Sequence, residues 1–145
     1  MKLSDYARFP LTLIDSEGDG VFTIRVQGIH GAITEGREAE IDEMALAALI
    51  DIAEDHLQRR MVIKPAPAPE EGQRVLRVPV LTALKIMLWS SMNERGISRS
   101  ELARRMGTSS QSIVQWFDLS RKGGNIETLF KAFEAIGMTV EVTAE

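Results

Sequence analysis

"SELARRMGTSSQSIVQWF", residues 100 to 117, places a glycine break between two short helical patterns. Ser98 and Glu101 stand at the spacing of an S-x-x-E capping box, in which a hydroxyl satisfies an orphan N–H of the first helical turn. That predicts a helix over "RSELARRM", ended by Gly107. A second start follows at Thr108 or Ser109 and opens "SQSIVQWFD", where Ile113, Trp116 and Phe117 share one side while Ser110, Gln111, Val114 and Gln115 share the other. Two short capped helices about a glycine turn, the second with an amide- and hydroxyl-rich outer face, make a helix-turn-helix pattern.

The chemistry of that outer face suits DNA. A glutamine amide can take the N6/N7 edge of adenine and a serine hydroxyl suits several base edges, so Gln111, Gln115 and Ser110 are candidate base readers. Ser109 at a helix N-terminus, with Arg121 and Lys122 in the following loop, suits phosphates. If Thr108 rather than Ser109 is the N-cap, Gln111 becomes a capping-box partner and is lost to base reading. The competing reading, a small packing unit with a solvated polar face, requires two caps, a glycine turn and a basic loop to coincide.

The chain carries formal net charge -4, distributed unevenly. Residues 1–70 hold seven Lys/Arg against thirteen Asp/Glu, and residues 71–145 hold ten against eight, so the first part is net -6 and the second net +2. Phosphates attract the second and are repelled by the first, which leaves the acidic part for a basic partner or for solvent. With no cysteine, and with only His30 and His56 as histidines, neither a disulfide framework nor a thiolate or His-rich metal site is expected, and no cofactor. The absence of an apolar run of about 18 residues and of a secretory signal core predicts a cytoplasmic protein with no membrane partner.

Pro65, Pro67 and Pro69 in "KPAPAPEEGQ" alternate with alanine and forbid a helix. They divide the chain into residues 1–64, a linker 65–73, and residues 74–145. In the first unit "RFPLTLI" and "VFTIRV" alternate as half-buried strands, and Pro10 requires the first to lie at an edge or to begin near it. "DSEGDG", Asp15 to Gly20, imitates the opening of a calcium loop, yet Val26 stands where the bidentate glutamate is needed; a hairpin turn with Gly18 and Gly20 at positive φ is expected instead. A third strand is expected around Ala32 to Glu35. A helix from about Glu38 to Arg60 carries one apolar stripe of Ile41, Met44, Ala45, Ala48 and Ile52 and a second of Leu46, Leu49, Ile50, Ala53 and Leu57. One sheet cannot cover both, so the second stripe has either a broad core contact or a partner. In the second unit "RVLRVPV" reads as a strand, Leu81, Leu84, Leu88 and Met92 repeat at helical spacing, and Gly96 stands as a left-handed helix stop.

From "ISRSELARRMGTSSQSIVQWFDLSRKGGNIETLFKAFEAIGM" the second unit resembles the XRE/Cro-type helix-turn-helix family. With "FPLTLIDSEGDGVFTIRVQGIHGAITEG" before it, roughly residues 6 to 143 resemble HicB antitoxins of type II toxin–antitoxin systems. That resemblance implies an α+β fold: an N-terminal partial RNase H-like β-β-β-α domain and a C-terminal helix-turn-helix domain with flanking short strands, "RVLRVPV" and "MTVEVTA", that pair within or between chains. It also implies two partners besides a second copy, a small basic HicA-type toxin and operator DNA. The acidic surface, Asp15, Glu17 and Asp19, and the apolar Leu46, Ile50 and Leu57 are the candidate toxin contacts. Taking the RNase H likeness literally would ask Asp15, Glu17, Asp19 and Asp42 to bind metal, but a turn and a helix start are poor supports for a two-metal cluster, so no catalytic residue is assigned. The rival reading is a stand-alone repressor whose first domain senses a small molecule.

Overall fold

The computed structural model describes residues 2–122, 124–142 and 144. Among them are six α-helices and a four-stranded antiparallel sheet of order β3-β2-β1-β4. Strands β1 (Arg8–Ile14) and β2 (Val21–Val26) pair with Leu11 opposite Val26 and Leu13 opposite Ile24, burying Phe9, Leu11, Ile24 and Val26. The acidic turn between them closes on itself. Asp15 accepts from the Gly20 N–H at 3.1 Å and Asp19 from the Val21 N–H at 3.0 Å, with Gly18 and Gly20 at φ 68° and 81°. Strand β3 (Ile33–Arg37) follows antiparallel to β2, slightly later than the sequence suggests.

The fourth strand corrects the sequence reading. "RVLRVPV" forms β4 (Val75–Arg77), which pairs antiparallel with β1, Leu76 opposite Phe9. It completes the first sheet instead of flanking the second unit, and residues 138–142 form no strand within the chain. The reason is burial: Leu76 and Val78 fill the core beside Phe9. β1 is therefore an interior strand. Pro10 is tolerated there because the β1–β2 ladder begins at Leu11, while the Pro10 carbonyl still accepts from the Gln27 N–H at 2.9 Å.

A 3-10 turn (Glu38–Glu40) leads into α2 (Ile41–Gln58). The Glu40 carboxylate accepts from the Arg37 N–H at 3.0 Å, and Arg74 from beside β4 reaches Glu38 at 2.9 Å and Asp42 at 3.4 Å. Ile41, Ala45, Leu49, Ala53 and Leu57 are the buried residues of α2. At a spacing of four in a helix of 3.6 per turn, the buried line drifts by about 40° per step. It packs against β2, β3 and β4 and against α3 (Val80–Arg95): near its start Met44 lies against Gly36 of β3, and at its end the Leu57 carbonyl accepts from Asn93 of α3 at 3.0 Å. The two predicted stripes are thus the two ends of one core surface. Leu57 in particular is a core residue, 1% exposed, while Leu46 and Ile50 stay half-buried on the flank.

Residues 65–73 contain no helix, as the alternating prolines require, and turn at Glu71–Gly72, where the Gln73 N–H donates to the Glu70 carbonyl at 3.0 Å; they lie against the sheet half. The Ala66 N–H donates to the Asp5 carbonyl at 2.8 Å, Gln73 Nε2 donates to the Leu11 carbonyl at 3.2 Å, and a Cβ on Gly28 (φ 94°) would come within 2.7 Å of Pro67 Cδ. Next, α3 is buried on every face from Thr82 to Met92. A helix apolar all round belongs in the middle of a core. Helices α1 (Ser4–Ala7) and α2 pack against it, as do the 3-10 turn Val114–Phe117 and α6 (Ile126–Ala135). Ser90 Oγ accepts from the Ile63 N–H at 2.8 Å and donates to the Ile63 carbonyl at 3.1 Å; the Tyr6 hydroxyl donates to the same carbonyl at 3.0 Å. One continuous core runs from Tyr6 to Ile136, and the 64/74 boundary does not divide it.

Candidate nucleic-acid interface

Helix α4 (Arg99–Met106) starts at Ser98, whose Oγ accepts from the Glu101 N–H at 3.1 Å. The Glu101 carboxylate pairs with Arg105 at 2.9 Å and with Arg104. Hydrogen bonding from Arg105, aided by both positive charges, holds it below the usual carboxylate range. The helix ends at Gly107, φ 68°, and the Thr108 N–H returns to the Ala103 carbonyl at 2.9 Å. Helix α5 (Ser110–Ile113) then begins with Ser109 as its N-cap: Ser109 Oγ accepts from the Ser112 N–H at 3.3 Å and lies 2.9 Å from Ser112 Oγ in a second hydrogen bond. This decides between the two candidate caps. Gln111 is exposed, and the capping acceptor is Ser109 and not Thr108.

The expected α-helix through Asp118 is a single α-turn followed by the 3-10 turn Val114–Phe117. Three residues per turn stacks Trp116 on Ile113, and both are buried. Phe117 meets Trp89 of α3 edge to face, ring centroids 5.2 Å apart. Arg99 covers this aromatic pair, its guanidinium 4.2 Å from the Phe117 ring centroid and 5.0 Å from that of Trp89. Packing in the core therefore sets the pitch of the segment.

Ser109, Ser110, Gln111, Arg121 and Lys122 are exposed and Gln115 is half-buried, all on one continuous segment, 109–122. Because the Ser109 hydroxyl is engaged as a cap, any phosphate contact there falls to the free N–H groups of the first turn. Val114, 53% exposed, adds an apolar element to the same surface. Asp15, Glu17 and Asp19 are exposed at the hairpin, remote in sequence from this segment.

Sequence reasoning missed two residues that hold the turn following Phe117. Lys85 is 1% exposed inside α3, and Glu54 of α2 accepts from the Leu119 N–H at 2.7 Å. A lone lysine in the apolar run "LTALKIMLW" was the available signal, since a lysine is almost never fully buried without partners.

No family model matches the chain. It is 34% identical to Antitoxin HicB 1 of Photorhabdus laumondii over 139 residues, which cover 95% of this chain and 87% of that protein. The chain belongs to the HicB antitoxin family. Antitoxin HicB of Escherichia coli is 30% identical over 132 residues, 90% of this chain and 94% of that protein. Antitoxin HicB of Pseudomonas fluorescens is 30% identical over 113 residues, 78% and 74% of the respective chains. With 139 residues aligned, the likeness to the HicB of Photorhabdus laumondii spans both the sheet half and the two-helix unit of this HicB chain. Among the described residues no helix is long and apolar enough to cross a membrane.

Proposed function

We propose that this HicB chain neutralises a small, basic HicA-type mRNA interferase and represses its own operon by binding operator DNA, acting by binding without catalysis. The observation that carries the reading is the conjunction, in one chain with full-length likeness to antitoxins, of an acidic sheet half and a capped two-helix unit with an exposed amide, hydroxyl and basic surface. In this reading the sheet half is a partial RNase H-like unit and α4–α5 is the helix-turn-helix. Asp15, Glu17 and Asp19 steer the toxin, and Leu46 and Ile50, half-buried on α2, lie in the contact. Co-expression tests it: a neighbouring short basic reading frame arrests growth alone and is harmless with this chain, while arrest in both cases rejects the antitoxin role.

The dimer belongs to the same proposal. Residues 138–142 have no strand partner within the chain among the described residues and Val142 is 63% exposed; their strand partner is a second copy, which presents two reading helices to half-sites roughly 34 Å apart. Deleting residues 138–145 is expected to halve the mass in solution and weaken operator binding; an unchanged mass rejects this interface.

One observation favours the rival reading of a stand-alone repressor with a sensing first half. A cleft of about 340 Å³ lies on the seam between the halves, lined by Leu57, Arg60, Trp89, Met92, Asn93 and Arg99 among others. Growth unaffected by the neighbouring frame, with operator binding altered by a small metabolite, would favour that reading.

A further inference from the structure

The turn Asp118–Arg121 follows the reading segment and leads to the exposed cations Arg121 and Lys122. It has no regular secondary structure, so its backbone polar groups need partners elsewhere. Some are local: the Arg121 N–H donates to the Asp118 carbonyl at 3.3 Å and the Ser120 N–H to the Asp118 carboxylate at 3.2 Å. The others come from the body of the protein. Lys85 Nζ donates to the carbonyls of Asp118 at 3.3 Å and Arg121 at 3.0 Å, and Glu54 accepts from the Leu119 N–H at 2.7 Å. Leu119 itself is buried, 1% exposed.

A buried ammonium is unfavourable unless acceptors meet its N–H groups. Methionine would fill the same space in this apolar helix without that requirement, so the core does not explain Lys85; the turn does. Burial pulls the lysine below its ordinary range and the Arg121 charge adds to this, while Asp118 and Glu54 act against it.

We propose that Lys85 and Glu54 are positioning residues for DNA contact, which fix the turn Asp118–Arg121 from α3 and α2 and so hold Arg121 and Lys122 where phosphates meet them. This rests on the DNA-binding reading given above. The consequence is that the phosphate-contacting loop is placed by α3 together with α2, the helix that packs on the sheet.

The test uses the full-length chain, a duplex spanning its own promoter, and a random duplex, with affinity measured against salt. Each phosphate contact contributes about 0.9 to the slope of log affinity against log salt. Replacing both cations, Arg121→Ala with Lys122→Ala, is expected to lower that slope by about two contacts' worth. Lys85→Met is expected to lower it by one or two contacts' worth, and to lower it no further when added to the double replacement. Glu54→Gln, which keeps an acceptor for Leu119, should retain the slope that Glu54→Ala loses. A purely structural role would weaken binding at every salt concentration and leave the slope intact. Folded Lys85→Met and Glu54→Ala proteins with the full slope overturn the proposal, and if Lys85→Met does not fold, the Glu54 pair decides alone. If the wild type does not bind the promoter duplex, the DNA-binding reading itself falls and takes this proposal with it; if it binds but replacing Arg121 and Lys122 leaves the slope unchanged, this proposal alone is overturned.

Discussion

Tyr6 is the chain's single tyrosine, 1% exposed, with its hydroxyl donating to the Ile63 carbonyl. Burial, reinforced by the charges of Asp5 and Glu94, pushes its pKa up to about 12. The folded state therefore holds this proton more tightly than the unfolded chain, whose tyrosine titrates near 10. The stability it contributes is fully present below about pH 10 and is lost as pH rises from 10 toward 12. Tyrosinate absorbance reads this one residue, and a midpoint near 10 in the native protein would mean that the hydroxyl is solvated. Gln115 and Arg121 make a second test at this scale. Gln115→Ala should relax preference at one base position by about 1–3 kcal/mol, whereas Arg121→Ala should weaken operator and random DNA alike. Equal losses on both DNAs for Gln115→Ala would remove it from the base readers.

At the scale of elements, the short segment 110–117 depends on its cap. It is one α-turn and one 3-10 turn, too short to persist on propensity alone, held by Ser109 at one end and by Trp116 and Phe117 in the core. Ser109→Ala should cost about 0.5–2 kcal/mol of stability by removing the acceptor for the Ser112 N–H. Ser109→Asp separates the structural role from the binding role, because aspartate caps as well as serine but adds a negative charge where phosphate would sit. Melting near the wild-type temperature with weaker binding to promoter DNA is the expected result. Unchanged affinity would show that this helix N-terminus does not face the backbone of DNA.

Across the whole molecule, α3 decides how the halves depend on each other. The proline segment suggests two separable units, each with its own partner. In the structure, removing residues after 64 deprives β1 of β4 and takes away α3, which packs on α2 and whose Asn93 donates to the Leu57 carbonyl at 3.0 Å. A fragment of residues 1–64 is therefore expected to lack a cooperative thermal transition by circular dichroism, and the two pieces 1–64 and 65–145 should recover one when expressed together. A cooperatively melting 1–64 fragment that also silences the toxin would show that the seam contributes little. Toxin binding by the intact chain should weaken with salt if the acidic surface steers it.

What the sequence determined by itself was local. Alternation specified β1 and β2, the glycines at 18, 20, 96 and 107 marked turns with positive φ, Ser98 announced the start of α4, and together these outlined the two-helix segment with its exposed polar residues. Such signals lie within a few residues of what they specify, because capping, turn geometry and strand pleating are short-range. Even here one choice stayed open, Thr108 against Ser109, since both hydroxyls offer the same chemistry and only the chain's path selects one. Tertiary structure decided the rest: that β4 pairs with β1 across more than sixty residues, that the buried line of α2 turns from sheet to α3, and that Lys85 and Glu54 reach the loop after Phe117. An apolar run reads the same whichever surface covers it. A lysine reveals that it has partners but not where they lie, because its acceptors are backbone carbonyls, which every residue carries.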